Sequence, residues 1–319
     1  MWPAAAAMFS LAMAGQLSAV AGVWLLLDVI FLLALFLHLL GGRSSLCCRV
    51  FQDLIRYGKT KLGGRPGWLR HCDLPKRWFS HFYYVSVFWN GALLGLLVWS
   101  LLLGGHMPAW IQSLINFFNK DPQHKVPGEE FSTLVALFLL WLHSLRRLVE
   151  CLFVSVYSNG VIHICQYCLG IGYYFLMGIT LLDHAQMENK VTATELVLQV
   201  RWYHLLGVLL YAWASLHQHR CSVILANLRK SKSGKVRTMN HSVPTGDWFE
   251  SVSCPHYFAE LLIYISIAIL FGLAHITLWL VVLFVLFNQS LAAILCHEFY
   301  HEKFDSYPAH RKAFIPYVF

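Results

Sequence analysis

The residues of this chain best suited to chemistry crowd into its last third. They are Gly246-Asp247-Trp248-Phe249-Glu250, Pro255-His256-Tyr257-Phe258-Ala259-Glu260, His297-Glu298-Phe299-Tyr300 and Lys303-Phe304-Asp305-Ser306-Tyr307-Pro308, followed by Arg311-Lys312. On a helix, His256 and Glu260 share a face, so the carboxylate could orient the imidazole or bind an amide or hydroxyl of a ligand. A capping role for the Pro255 region is the plainer alternative. Upstream, Gln218, His219, Arg220, Asn227, Arg229 and Lys230 gather in one segment. Arginine there can grip phosphate bidentately, although basic residues at a membrane edge also arise simply from orientation. His297 and His301 have a spacing that can bring two imidazoles to one metal on a helix. A histidine-rich di-iron centre needs several such boxes, however, and none has the adjacent His-His pairs it uses, so no metal is expected. Neither a G-x-G-x-x-G nor a P-loop pattern occurs, which argues against Rossmann or Walker nucleotide sites.

These polar groups sit in a very apolar chain. Its 319 residues are 58% hydrophobic and 13% charged, with a formal net charge of +8. Repeated apolar runs of ~20 residues fit bilayer crossings, and polar groups held near a bilayer are costly unless they serve a purpose. The excess charge is divided among loops rather than gathered on one module, which excludes a nucleic-acid-binding domain. Nine cysteines, several inside apolar runs, do not form a secreted disulfide framework. Cys165 and Cys168 make a lone C-x-x-C in a membrane helix, where core packing is expected. Met1-Trp2-Pro3 has no basic flank, so the N-terminus reads as an uncleaved anchor and not as a secretory signal.

The expected fold is all-α: a multi-pass helical bundle of about seven spans, six being possible. Spans are placed at 19–40, 82–103, 131–145, 161–182 and 202–216, with two more in the apolar stretch 258–296 around a turn near Gly272 to His275. The third is expected to run on past Arg146 and Arg147. Segments 41–81, 146–160, 217–257 and the tail after 297 hold 20 of the 24 lysines and arginines, leaving Lys120, Lys125, Lys190 and Arg201 for the other side. By the positive-inside rule the C-terminal polar site faces the cytosol.

The polar C-terminal stretches resemble those of the steroid 5α-reductase family, specifically its polyprenol (polyprenal) reductase branch. The branch resemblance extends upstream through Phe51-Gln52-Asp53-Leu54-Ile55-Arg56-Tyr57-Gly58-Lys59-Thr60-Lys61, Pro75-Lys76-Arg77-Trp78-Phe79-Ser80-His81-Phe82-Tyr83 and Leu142-His143-Ser144-Leu145-Arg146-Arg147. It implies one membrane-embedded reductase domain over 1–319, with the N-terminal spans and substrate end in 1–130 and cofactor-binding loops in 131–319. It implies NADPH as cofactor, held by Gln218, Asn227, Arg229, Trp248, His256, Glu260, Tyr300, Tyr307 and Arg311, with His297 beside the nicotinamide. At the positions where steroid-reducing members hold the substrate carbonyl with Glu and Tyr, this chain has residues near Phe82 and Cys151. His81, Tyr83, Arg147 and Glu150 are then the neighbouring polar candidates for supporting a carbonyl or giving a proton. The reaction implied is reduction of the conjugated double bond in the α-isoprene unit of polyprenal, in dolichol synthesis for N-glycosylation at the endoplasmic reticulum. Steroid 5α-reduction and non-catalytic lipid binding or transport are the alternatives. No obligate protein partner is implied.

Overall fold

A computed structural model describes residues 18–40, 46–63, 65–118, 128–184, 190–231 and 233–319. Met1-Trp2-Pro3, Pro122, Pro127, Lys120 and Lys125 lie outside them. Ten α-helices form the described chain: α1 Ala19–Leu40, α2 Leu46–Ile55, α3 Phe79–Leu103, α4 Ala109–Phe118, α5 Glu130–Val149, α6 Ile164–Leu182, α7 Ala193–Leu198, α8 Trp202–Asn227, α9 Pro255–Ile269 and α10 Ile276–Lys303. Seven of them are long, and these coincide with the seven expected spans. By length and composition alone, α1, α3, α6 and α10 can cross a bilayer. The 15 residues of α9 rise only ~22 Å, less than the ~30 Å hydrocarbon core, while α5 and α8 carry buried polar groups that dilute their apolarity.

The helices pair around a bundle: α1 against α10, α10 against α9, α9 along α8, α5 against α3, and α3 against α6. Leu93, Leu97, Leu137, Leu140, Ile263 and Val281 are among the residues filling its core. Trp24 pins α1 to α6 at one end, its indole donating to Thr180 at 2.9 Å. Short helices α2, α4 and α7, which apolar-run length does not reveal, lie between the long ones.

Two boundaries differ from the sequence reading. The fourth span does not begin at Val161. Residues Val161–His163 instead form strand β2, antiparallel to β1 Asp73–Pro75, with Leu74 opposite Ile162. The β-branched Val161 and Ile162 suit a pleated edge, and His163 then caps α6 by accepting from the Cys165 amide at 3.2 Å. Helix α8 continues well past Leu216 to Asn227, because Gln218, His219 and Ser222 on its final turns meet partners on α5. The third span does run beyond Arg147, closing in a π-helical turn at Glu150–Val154. The turn before α10 is made where Gly272 and Leu273 both have φ of 70°. Cys165 and Cys168 are not core residues: both are exposed.

Candidate active site

A cavity of about 940 Å³ occupies the half of the bundle that receives the basic loops. Its floor is a polar network across α5, α8 and α9. Glu260 on α9 accepts from the Gln218 amide on α8, and the Gln218 carbonyl accepts from Arg146 on α5. His143 Nε2 lies 3.3 Å from Glu260, though poorly aligned for a hydrogen bond. Thus the expected pairing of Glu260 with His256 does not form. His256 faces the same cavity, and its Nδ1 is buried with no partner among the described residues.

Glu150 is 1% exposed and saturated. It takes hydrogen bonds from Arg146 at 2.7 Å, from Arg147, from Ser222 at 3.2 Å, and pairs with His219 at 2.9 Å. Both oxygens of the carboxylate are thus held, one by Arg146 and His219 and the other by Arg147 and Ser222. It is therefore an anchor for the two arginines. Arg147, fixed by it, donates from Nε to the Tyr83 hydroxyl at 3.3 Å. Tyr83 lines the cavity beside Phe82, Cys151 and Tyr174.

The opposite wall is cationic. Lys59 and Lys76 come from the segment between α2 and α3, and Arg229 from the end of α8. Gly58 has φ of 57°, and a Cβ there would lie 2.9 Å from Lys76 Nζ. Glycine thus allows the turn that sends Lys59 inward while Lys76 crosses beside it. Lys59 Nζ sits 3.8 Å from the centre of the Tyr300 ring. Arg229 donates to the Val156 carbonyl at 2.5 Å and meets His241 Nε2 at 3.1 Å. Among the described residues none of Lys59, Lys76 and Arg229 has a carboxylate partner. Burial, reinforced by Lys59, Arg229, Lys303 and Lys76, lowers His241 to about 4, so it is a neutral acceptor for Arg229.

Toward α1 and α6 the cavity turns apolar. Leu27, Ile30, Phe31, Leu33 and Leu37 face Cys165, Leu169 and Tyr173. Ile30, Leu33 and Leu37 are also exposed on the outer surface, so the cavity opens sideways between these helices.

Of the residues selected from sequence, Tyr83, Arg147, Gln218, Arg229, His256, Glu260 and Tyr300 line this cavity together. The others are placed elsewhere. His81 bonds Tyr167 at 2.9 Å and packs on Trp78. Asn227 is exposed at the end of α8. Trp248 stacks on His217, which pairs with Asp247 at 3.0 Å. His297 and Tyr307 both bond Ser253 Oγ at 2.6 Å, and His301 lies 3.1 Å from His297. Arg311 donates to the Pro244 carbonyl at 2.8 Å and reaches Glu250 at 3.4 Å. Lys59 and Lys76 escaped selection by residue type, because isolated lysines in a basic loop look like orientation charge. The glycine beside Lys59 was the available signal.

A family model described as 3-oxo-5-alpha-steroid 4-dehydrogenase matches residues 160–319. Among known proteins, a polyprenal reductase of Xenopus tropicalis is 61% identical over 302 residues, covering 93% of this chain and 98% of the relative. The Homo sapiens polyprenal reductase is 51% identical over 302 residues, 93% of this chain and 95% of its own. That of Danio rerio is 47% identical over 304 residues, covering 95% and 98%.

Proposed function

This chain belongs to the 3-oxo-5-alpha-steroid 4-dehydrogenase family, the steroid 5α-reductases, and from that premise we propose that it uses NADPH to reduce polyprenal to dolichal. It is an oxidoreductase, and the bond reduced is the conjugated double bond of the α-isoprene unit. The observation that carries this reading is one cavity with two unlike ends. A cationic wall of Lys59, Lys76 and Arg229 stands at one end, and an apolar slot open to the membrane at the other.

The cationic end fits a phosphorylated dinucleotide. Three cations without carboxylate partners would otherwise be costly to hold in a half-buried wall, and phosphate is the natural counter-charge. The orphaned His256 Nδ1 and the Gln218–Glu260 pair offer polar contacts deeper in. About 940 Å³ lies near the top of the usual range of ~300 to 1,000 Å³ for ligand sites, enough for a cofactor's reactive end beside one isoprene unit. When bound there, NADPH would supply the hydride for the β-carbon of the enal.

The chain's own groups do the rest. Tyr83 is the donor to the aldehyde oxygen, where negative charge develops, because its hydroxyl accepts from Arg147 Nε and so keeps its own hydrogen free to donate into the cavity. Glu150 keeps Arg147 in place. Glu260 and Gln218 form the floor that positions the reduced ring. The slot between α1 and α6 takes the isoprenoid tail, leaving only the head unit inside. Phe82 and Cys151 stand near the positions where steroid-reducing members hold the ring ketone with Glu and Tyr, which favours the linear enal over a steroid. An alkene without a conjugated carbonyl is a poor hydride acceptor, so the aldehyde and not polyprenol is the direct substrate. Reaction at the cytosolic face of the endoplasmic reticulum, in dolichol synthesis for N-glycosylation, follows from the loop charges and from this substrate.

The test is an assay of purified protein in detergent, with NADPH deuterated on its transferring face and polyprenal, polyprenol and a Δ4-3-ketosteroid offered separately. Polyprenal should be consumed, with deuterium at C3 of dolichal and solvent hydrogen at C2. Label at C1 with the C2–C3 double bond retained would overturn the reading.

A further inference from the structure

At the end of the bundle remote from the cationic wall, three helix ends bring Glu129, His184 and His275 together. Glu129 immediately precedes α5, His184 follows α6 and His275 immediately precedes α10. One possible ligand atom from each lies within 4.8 Å of the others. His275 Nε2 is 2.6 Å from Glu129 Oε1, and the two imidazole centroids are 4.5 Å apart. Phe271 packs against both rings, at 5.1 Å from His184 and 5.6 Å from His275.

The hydrogen bonding inside this cluster is incomplete. Glu129 Oε2 and His184 Nε2 are buried and have no partner among the described residues. A closed hydrogen-bonded cluster would leave neither atom bare, and burying such atoms unpaired is unfavourable. A cation between them satisfies both. From this geometry we propose a divalent metal site, with Glu129, His184 and His275 as ligands and Zn²⁺ as the ion it suits.

Two imidazoles and one carboxylate match zinc, whose fourth position a water can fill, whereas Ca²⁺ and Mg²⁺ prefer all-oxygen shells. Bonds of ~2.0 to 2.2 Å set tetrahedral ligands about 3.3 to 3.6 Å apart. The present spacing therefore closes by about 1 Å at its widest, while the Glu129–His275 contact opens. The positive ends of α5 and α10 oppose a cation here, and the Glu129 charge offsets them. The site holds the far ends of α5, α6 and α10, the helices that carry Arg147, Tyr174 and Tyr300 to the cavity. Its role is to brace that frame, separate from the chemistry, and it does not depend on the reading of the cavity.

The experiment uses the full-length protein in detergent, stripped by a chelator and titrated with Co²⁺ while visible d–d absorption is followed. One equivalent should bind, Zn²⁺ should displace it, and Zn²⁺ should raise the melting temperature. His184→Gln and Glu129→Gln should weaken Co²⁺ binding by more than the ~10 to 100-fold that loss of an outer-shell partner costs. The Gln side chains keep hydrogen-bonding capacity, and size-exclusion profiles verify folding. His301→Ala, which removes half of the His297–His301 pair, should bind as wild type does. No Co²⁺ binding by the wild type, or undiminished binding by both glutamine variants, would refute the site. Loss of the signal in His301→Ala alone would assign the metal to the other pair and refute it equally.

Discussion

Two polar networks lie near the same membrane face and look alike in the sequence, yet only one of them reaches the cavity. The first links Glu150, Arg146, Arg147, Gln218 and Glu260, and it presents Tyr83 and Glu260 to open space. The second links Glu250, Ser253, His297, Tyr307 and Arg311, and it closes on backbone carbonyls and on itself. In it Lys312 pairs with the Ser251–Ser253 segment, tying the C-terminal tail down. Both satisfy buried polar groups, so burial and hydrogen bonding do not distinguish them. What differs is where residual capacity points: into a cavity in the first, and into solvent or back into protein in the second. Of the two, only the first lines the cavity.

The sharpest way to break this distinction is Tyr83→Phe. It removes one hydroxyl from the cavity and leaves the ring packing on Tyr174 intact. If Tyr83 gives the hydrogen bond to the developing oxyanion, kcat should fall ~10² to 10⁴-fold with little change in the KM for NADPH. Unchanged kcat in a folded variant would move the donor elsewhere in the cavity.

Arg229→Ala tests the other end of the cavity. A hydrogen bond to a charged group is worth ~1.5 to 3 kcal/mol, so the KM for NADPH should rise about 10 to 100-fold while kcat holds. The loss of the Val156 contact is a structural cost of the same change. The conservative Arg229→Lys variant keeps the charge, and it should recover part of the affinity if phosphate is the partner. A KM for NADPH equal to wild type in both variants would place the phosphate away from this wall.

These contrasts show what was legible before the fold was known. The seven long helices were, four of them because apolar runs of about 20 residues are a direct imprint of the bilayer. Glu260, Gln218, Arg229 and Tyr300 were legible as residue types and through family resemblance, and they do converge on one cavity. The division between cavity and tail was not legible. His297, Tyr307 and Arg311 have the chemistry of a site, and only the structure shows their hydrogen bonds running to Ser253 and the Pro244 carbonyl and not into the cavity. Glu150 misled for a similar reason: its partners lie on the same helix and across on α8, and sequence cannot show a carboxylate to be saturated. The strand at Val161–His163 was hidden because β-branched apolar residues also extend an apolar run.

Tyr307→Phe probes the tail network with a smaller effect. Its hydroxyl shares Ser253 with His297, and its ring stacks on Tyr300 at 5.3 Å. Loss of one such hydrogen bond costs about 1 kcal/mol, so thermal stability in detergent should fall by a few degrees and kcat should stay near wild type. A kcat loss as large as that of Tyr83→Phe would mean that the tail takes part in the chemistry, and the division between the networks would fail.

The smallest expected effect is a pH dependence at His241, which joins the cationic wall. Burial and the neighbouring Lys59, Arg229, Lys303 and Lys76 hold its folded value near 4, below the ordinary 6.5. Between those two values the unfolded chain binds more protons there than the folded chain, so stability rises with pH across the window. The contribution is complete above about 6.5 and lost as pH falls toward 4. Melting temperatures of the ligand-free protein between pH 7 and pH 4.5 should therefore fall more for wild type than for His241→Gln. The amide of that variant does not titrate and can still accept from Arg229. A bound phosphate would supply the missing negative charge and raise the folded value of His241, so saturating NADPH should flatten the wild-type slope toward that of the variant. Parallel curves for the two proteins without ligand would show that His241 is not held neutral by this wall. A slope in wild type that NADPH leaves untouched would place the cofactor's phosphates out of reach of His241 and, with it, of Arg229 3.1 Å away.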